Sequence, residues 1–222
     1  MARVSFSRHP LVLGRCVRRV SPRTIASTPS LVDVSLDDAL RHGGPLVERV
    51  LAAMALRRDR RHIVVLVQVA HLVPGDIPNG PGWHTDGVPV APGRYRYATD
   101  DPAIRPDRFH LVVAGEHCRT VFAEGPVWLR DPESSDSRER RRSFTRQLAR
   151  IRPPVFQVPG YRVLEYDGWA LHTSIAAQAE EWRAFVRVTE TDHHAPRPMA
   201  APAGQRGARS RAARGGTARR GA

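Results

Sequence analysis

Lysine is absent from this chain; all 35 of its cationic side chains other than histidine are arginine. Set against 22 acidic residues they give a formal charge of +13, a balance often seen in nucleic-acid binders. Two facts weaken that implication. An all-arginine chain rich in Ala and Pro points to biased codon usage, and seven arginines with no acid follow Asp192, leaving +6 (13 − 7) on everything before it. Cysteine is nearly missing too. Cys16 and Cys118 form no C-x-x-C pair, which excludes a disulfide framework and a cysteine-rich zinc site and fits a reducing cytoplasm, the expected compartment. Long apolar runs are also lacking. Residues 11–13 are too short a run for a signal peptide, Arg18-Arg19 precedes no hydrophobic region, and nothing reaches the ~20 apolar residues of a membrane helix. No membrane association is expected.

The 222 residues suffice for one domain with a substantial core. Residues 1–60 read as an N-terminal extension with flanking helices. Its first thirty residues form an extended lead-in with one edge strand. Ser35 with an acid three residues later predicts a helix start, with Leu36, Ala39 and Leu40 facing the core. Gly43-Gly44-Pro45 ends that helix and opens a second, in which Leu46, Val47, Val50, Leu51 and Met54 recur at helical spacing. The basic run 57–61 reads as a solvated helix end, with a nucleic-acid contact as its alternative.

Residues 61–192 carry the main pattern. The clearest strand is 63–69, Val-rich and bounded by polar residues, with Gln68 and His71 interrupting its end. A loop dense in Pro and Gly spans 74–82. Further short strands are expected at 88–90, 109–114, 120–122, 127–129, 155–158, 161–167, 170–172 and 182–189. Arg94-Tyr95-Arg96-Tyr97 is either an exposed hairpin edge or a pocket rim meeting an anionic or planar substrate. Residues 131–152 turn charged, with a thin apolar stripe of Phe144, Leu148 and Ile151, and read as an inserted helix or lid. Many short strands with Gly/Pro turns imply a sandwich or barrel. Residues 193–222 are an Arg/Ala/Gly/Pro tail with too little apolar surface to order itself.

The chemistry-bearing stretch is Gly82-Trp83-His84-Thr85-Asp86-Gly87. Alternate residues of a strand face one way, so His84 and Asp86 point together. Far downstream stands His172, and Arg183 and Arg187 follow it by eleven and fifteen residues. Two imidazoles and one carboxylate make a facial triad suited to non-haem Fe(II), with open coordination positions. In the last strand Trp182, Ala184, Val186 and Val188 form one face and Arg183, Phe185 and Arg187 the other. Ordinary patterning would put those arginines in solvent. In a double-layered barrel they line the interior, where an unpaired charge is tolerated only beside a bound anion.

The order His84-x-Asp86 … His172 … Arg183 resembles the Fe(II)/2-oxoglutarate-dependent dioxygenases, over about residues 60–192. The resemblance implies a mainly β fold with flanking helices around a double-stranded β-helix (jelly-roll) core. It implies that His84, Asp86 and His172 hold Fe(II), that Arg183 grips the distal carboxylate of the co-substrate 2-oxoglutarate, and that an unidentified substrate is hydroxylated with release of succinate and CO2. Arg187 is expected to bind an acidic substrate group or to share the co-substrate. Asp86 favours hydroxylation, because related halogenases lack that carboxylate. Phe185 departs from the family, where a small hydroxyl residue is frequent two places after the arginine; Gln68, His71 or Tyr97 could complete the carboxylate site. Trp83 and Trp169 either exclude water or simply pack. Two rivals stand beside this enzyme. One is a cupin-like metal protein that does not use 2-oxoglutarate, with His110 and His117 as poorly spaced extra ligands. The other is a non-enzymatic nucleic-acid-binding protein acting through the tail. The expected partner is a small molecule or peptide substrate, with nucleic acid reachable through the tail.

Overall fold

The computed structural model describes residues 3–7, 11–78, 80–86, 105–132, 134 and 136–199. The expectations for Gly87, 88–90, 94–97 and the tail from residue 200 lie outside these described residues. In chain order the elements are β1 (Arg3–Phe6), β2 (Val12–Cys16), α1 (Pro22–Ala26), β3 (Leu31–Ser35), α2 (Leu36–His42), α3 (Gly44–Ala53), β4 (His62–Leu72), β5 (Arg108–Ala114), β6 (Thr120–Ala123), β7 (Val127–Arg130), α4 (Ser137–Ile151), β8 (Val155–Gln157), β9 (Arg162–Asp167), β10 (His172–Ser174) and β11 (Glu181–Thr191).

Two antiparallel walls face each other. The larger sheet runs β2-β9-β5-β11-β4-β3 and the smaller β10-β6-β8, with a backbone bridge from His84 to His172 adding the His84 segment beside β10. From β4 onward the chain alternates between the walls. It passes from β4 to the His84 segment, to β5, to β6 and β8, to β9, to β10 and back to β11. That exchange is the topology of a double-stranded β-helix, a jelly roll. A third, two-stranded sheet pairs β1 with β7, and β7 and α4 together interrupt the passage from β6 to β8.

Side-chain parity explains why the large sheet sits where it does. Val65, Val67, Val112, Ala114, Val163, Ala184, Val186 and Val188 pack outward with Ala39 of α2 and Leu46, Val47, Val50 and Leu51 of α3. The alternate residues Phe109, Leu111, Val113, Leu164, Tyr166 and Phe185 pack inward with Phe122 of the small sheet. Both faces are therefore buried, one under helices and one under the opposing wall. Helix α4 is anchored separately: Phe144 and Leu148 pack with Val4, Phe6, Leu129, Trp169 and Leu171, and Phe6 meets Phe144 edge-on at 5.1 Å.

Several local expectations need amendment. The lead-in holds two strands and a helix, not one strand, because β1 and β2 find partners far along the chain in β7 and β9. The Ser35 hydroxyl caps α2 by accepting from Asp38 N and Ala39 is buried, but Leu40 is 42% exposed. Strand β4 runs on through Gln68 and His71 to Leu72, since β11 pairs with it along its whole length. The basic run 57–61 is not a helix end. Helix α3 stops at Ala53, and the run is stitched to the end of β11: Glu190 accepts from Arg58 N at 2.6 Å and Arg60 pairs with Asp192 at 2.8 Å. Just past Asp192 the chain also has contacts. Arg197 donates its N–H to Asp33 O at 2.6 Å, and Met199, a large apolar residue in an otherwise small and basic segment, packs on the outer core.

Candidate metal centre

The small sheet brings its histidines together through the backbone. His84 N donates to His172 O at 3.0 Å and His172 N to His84 O at 2.9 Å, so the two rings lie on one face with centroids 4.4 Å apart. Each ring is oriented by a carbonyl: Gly82 O is 3.0 Å from His84 Nδ1, and Ala170 O is 3.0 Å from His172 Nδ1. A carbonyl only accepts, so both Nδ1 atoms carry the proton. In a neutral ring this leaves the lone pair on Nε2, the tautomer a metal ligand needs. Asp86 completes the set. Its Oδ1 is 4.0 Å from His84 Nε2 and its Oδ2 is 3.4 Å from His172 Nε2. The three ligand atoms lie within 4.8 Å of one another.

The charge states suit a cation. Burial, and then the nearby His172, lower the His84 imidazole to about 4, so it is neutral at pH 7. Burial pushes the Asp86 carboxyl up, but Arg187, His172 and His84 outweigh it and hold the group far below the usual carboxylate range. Metal binding needs neutral imidazole and ionised carboxylate, and His84 and Asp86 meet these conditions before any ion arrives. The donor set fits a divalent first-row metal with positions left open.

Glycine decides how the first ligand pair reaches this point. Gly82 has φ +108°, and a Cβ there would lie 3.1 Å from Thr145 Oγ1. The same hydroxyl accepts from Trp83 N at 3.0 Å. The ligand segment is thus clamped directly on α4.

The arginines of β11 do line the interior, and they differ. Arg187 NH1 forms a close ion pair with Asp86 Oδ2. Arg187 is expected to meet an acidic substrate group or the co-substrate; the Asp86 carboxylate, reaching across from the opposite wall, is already there. Arg183 is 3% exposed. Its Nε donates to Cys118 O at 2.9 Å and its guanidinium lies 5.4 Å from the centre of the Phe185 ring, but its NH2 has no hydrogen-bond partner among the described residues. Glu181 is the neighbouring acid, yet its oxygens accept the backbone N–H groups of Glu116, His117 and Cys118 at 2.7–2.9 Å. Leaving a buried cation without a counter-ion costs several kcal/mol, more than the ~1.5–3 kcal/mol gained by burying a valine of the same strand.

Of the residues considered for completing that niche, Gln68 lies opposite Phe185 in the register, between the pairs Ala70–Arg183 and Leu66–Arg187, and so shares their inner face. His71 points the other way, pairing with Glu180 at 3.1 Å and stacking near Trp182. Tyr97 lies outside the described residues. His110 is tied to Glu190 at 3.1 Å and His117 is exposed; neither belongs to the cluster. Trp169 packs beside Phe6, with Trp83 against the same cluster, so both tryptophans serve packing.

Three residues escaped the sequence. Thr120 of β6 is buried with an unpartnered Oγ1, two residues after the Cys118 carbonyl that holds Arg183. Phe122 stacks on His172 at 5.1 Å. Tyr166 lies edge-on to His172 at 5.8 Å, and burial followed by the charge of Asp86 pushes its phenol up. A strand aromatic or threonine looks like core in a sequence; the pairing of β6 with β10 puts Thr120 and Phe122 at the site, and the packing of β9 against the small wall puts Tyr166 there.

No protein-family model matches this chain, and no curated protein matches it. Among solved structures, EvdO2 from Micromonospora carbonacea var. aurantiaca superposes with a TM-score of 0.44 and 16% identity, over 84% of this chain and 80% of that one. Likeness at that level says nothing about chemistry.

Proposed function

We propose that this chain is an Fe(II)- and 2-oxoglutarate-dependent oxygenase that hydroxylates a substrate with release of succinate and CO2. His84, Asp86 and His172 would hold the iron, which supplies oxygen activation when bound. The observation that carries the proposal is Arg183: a buried guanidinium with an N–H that no described residue accepts, on the interior face that also presents Arg187 to the ligand set. A free carboxylate is the partner its planar fork suits. The Thr120 hydroxyl is the natural second donor, standing in for the small hydroxyl residue that Phe185 replaces. Arg187 would orient Asp86 through Oδ2 and leave Oδ1 for the metal. Tyr166 and Phe122 would keep water from the His172 side.

Anaerobic titration of metal-free protein with Fe(II) and then 2-oxoglutarate tests this through the visible charge-transfer band of a metal-chelated keto acid. The expected result is a band that is absent in His172→Ala and needs at least tenfold more 2-oxoglutarate in Arg183→Gln. Iron binding with no band in the wild-type protein would assign a cupin-like metal protein that does not use the keto acid. Absence of iron binding would overturn the metal site altogether.

A further inference from the structure

A cavity of about 990 Å³ opens between the ligand segment, at Gly80 to Gly82, and the exposed flank of α4. Its helical wall is made by Arg138, Glu139, Arg141, Arg142, Thr145 and Arg146. The arginine spacing of three, four and eight residues from Arg138 places them on one helical face, away from the Phe144 and Leu148 stripe that anchors the helix. Arg138, Arg142 and Arg146 are exposed and form no ion pair among the described residues. Like charges four residues apart repel, so this stripe is a standing cost to the helix unless something negative joins it. The cavity adjoins the first ligand segment: Gly82 in its wall stands two residues before His84, and Thr145 in its wall accepts from the N–H of Trp83, the neighbour of His84.

We propose that this cavity takes the anionic group of the substrate, a small molecule bearing a phosphate, pyrophosphate or sulfate, and so holds its oxidisable carbon over the ligand set. The proposal rests on the oxygenase assignment for the reaction, but not for the binding. The volume is that of a small-molecule site; multivalent oxyanions are the ligands that several arginines recognise together. The site differs from the Arg183 niche, which is buried and holds one guanidinium.

Calorimetric titration of the full-length, metal-free protein with inorganic pyrophosphate reads the cavity independently of iron. Arg142→Gln with Arg146→Gln should weaken pyrophosphate at least tenfold with unchanged circular dichroism. Glu139→Gln, which removes the acid in the wall, should tighten it by a few fold. Equal affinity in the wild-type and double-variant proteins would overturn the proposal, because pyrophosphate would then be held by the tail or the Arg183 niche. A single-stranded RNA that binds far more tightly than pyrophosphate and loses as much affinity in the double variant would overturn it in favour of a nucleic-acid surface. Pyrophosphate binding with no keto-acid band would leave the cavity standing and remove the oxygenase chemistry.

Discussion

Arg187 and Arg183 share one face of β11 but meet opposite circumstances: Arg187 pairs with the Asp86 carboxylate, whereas Glu181, the acid near Arg183, is spent on backbone N–H groups. Replacing Arg187 with Met removes the charge that holds Asp86 ionised against its burial. Metal affinity should fall roughly 10–100-fold, the usual effect of losing a partner of a ligand. The loss should grow as pH falls, because the Asp86 carboxyl then titrates nearer neutrality; Mn(II) calorimetry at two pH values checks both. His84 gives a second pH effect, in the metal-free protein. Its imidazole is lowered from 6.5 to about 4 on folding, so between these values the unfolded chain binds more protons. Stability therefore rises as pH climbs through that window, by about 3 kcal/mol at most. Urea unfolding of wild-type and His84→Gln proteins at pH 4.5 and 7 should show the slope in the first and a shallower one in the second. These residues were partly legible. The triad could be read from its spacing, and the arginines could be placed inward only by assuming a double-layered barrel, since strand parity alone would put them in solvent; Thr120, Phe122 and Tyr166 could not be read at all, because nothing local separates them from ordinary core.

Among elements, α4 is the one that links packing to the site. Its Phe144 and Leu148 stripe within a charged stretch was visible in the sequence; its grip on the His84 segment was not, since that depends on a glycine and a threonine far apart in the chain. Gly82→Ala tests the link. Alanine at φ +108° is strained by ~1–3 kcal/mol, and its methyl would crowd Thr145 Oγ1. The substitution should weaken Mn(II) binding at least tenfold while the melting temperature falls only a few degrees, as read by calorimetry and circular dichroism. Elsewhere the sequence erred where tertiary pairing overruled local chemistry. Polar Gln68 and His71 do not end β4, because β11 supplies partners for every residue. The basic run 57–61 leaves the helical pattern because Glu190 and Asp192 offer carboxylates at the end of β11.

At the scale of the whole molecule, the strands and the inside-outside parity were readable, but the order in which the walls exchange strands was not. Backbone pairing between distant segments leaves no trace in composition. That topology has a consequence for motion. Among the described residues the first ligand segment joins the small wall through the two hydrogen bonds that His84 and His172 trade, a seam far thinner than the eleven-residue pairing of β11 with β4. Thin seams open locally at low cost. An ion held by side chains on both sides would act as a rivet, so deuterium uptake at the His84 and His172 amides should slow when Mn(II) is added, while uptake in β5 and β11 stays unchanged. Backbone breathing at one seam would then report, amide by amide, whether the site is loaded.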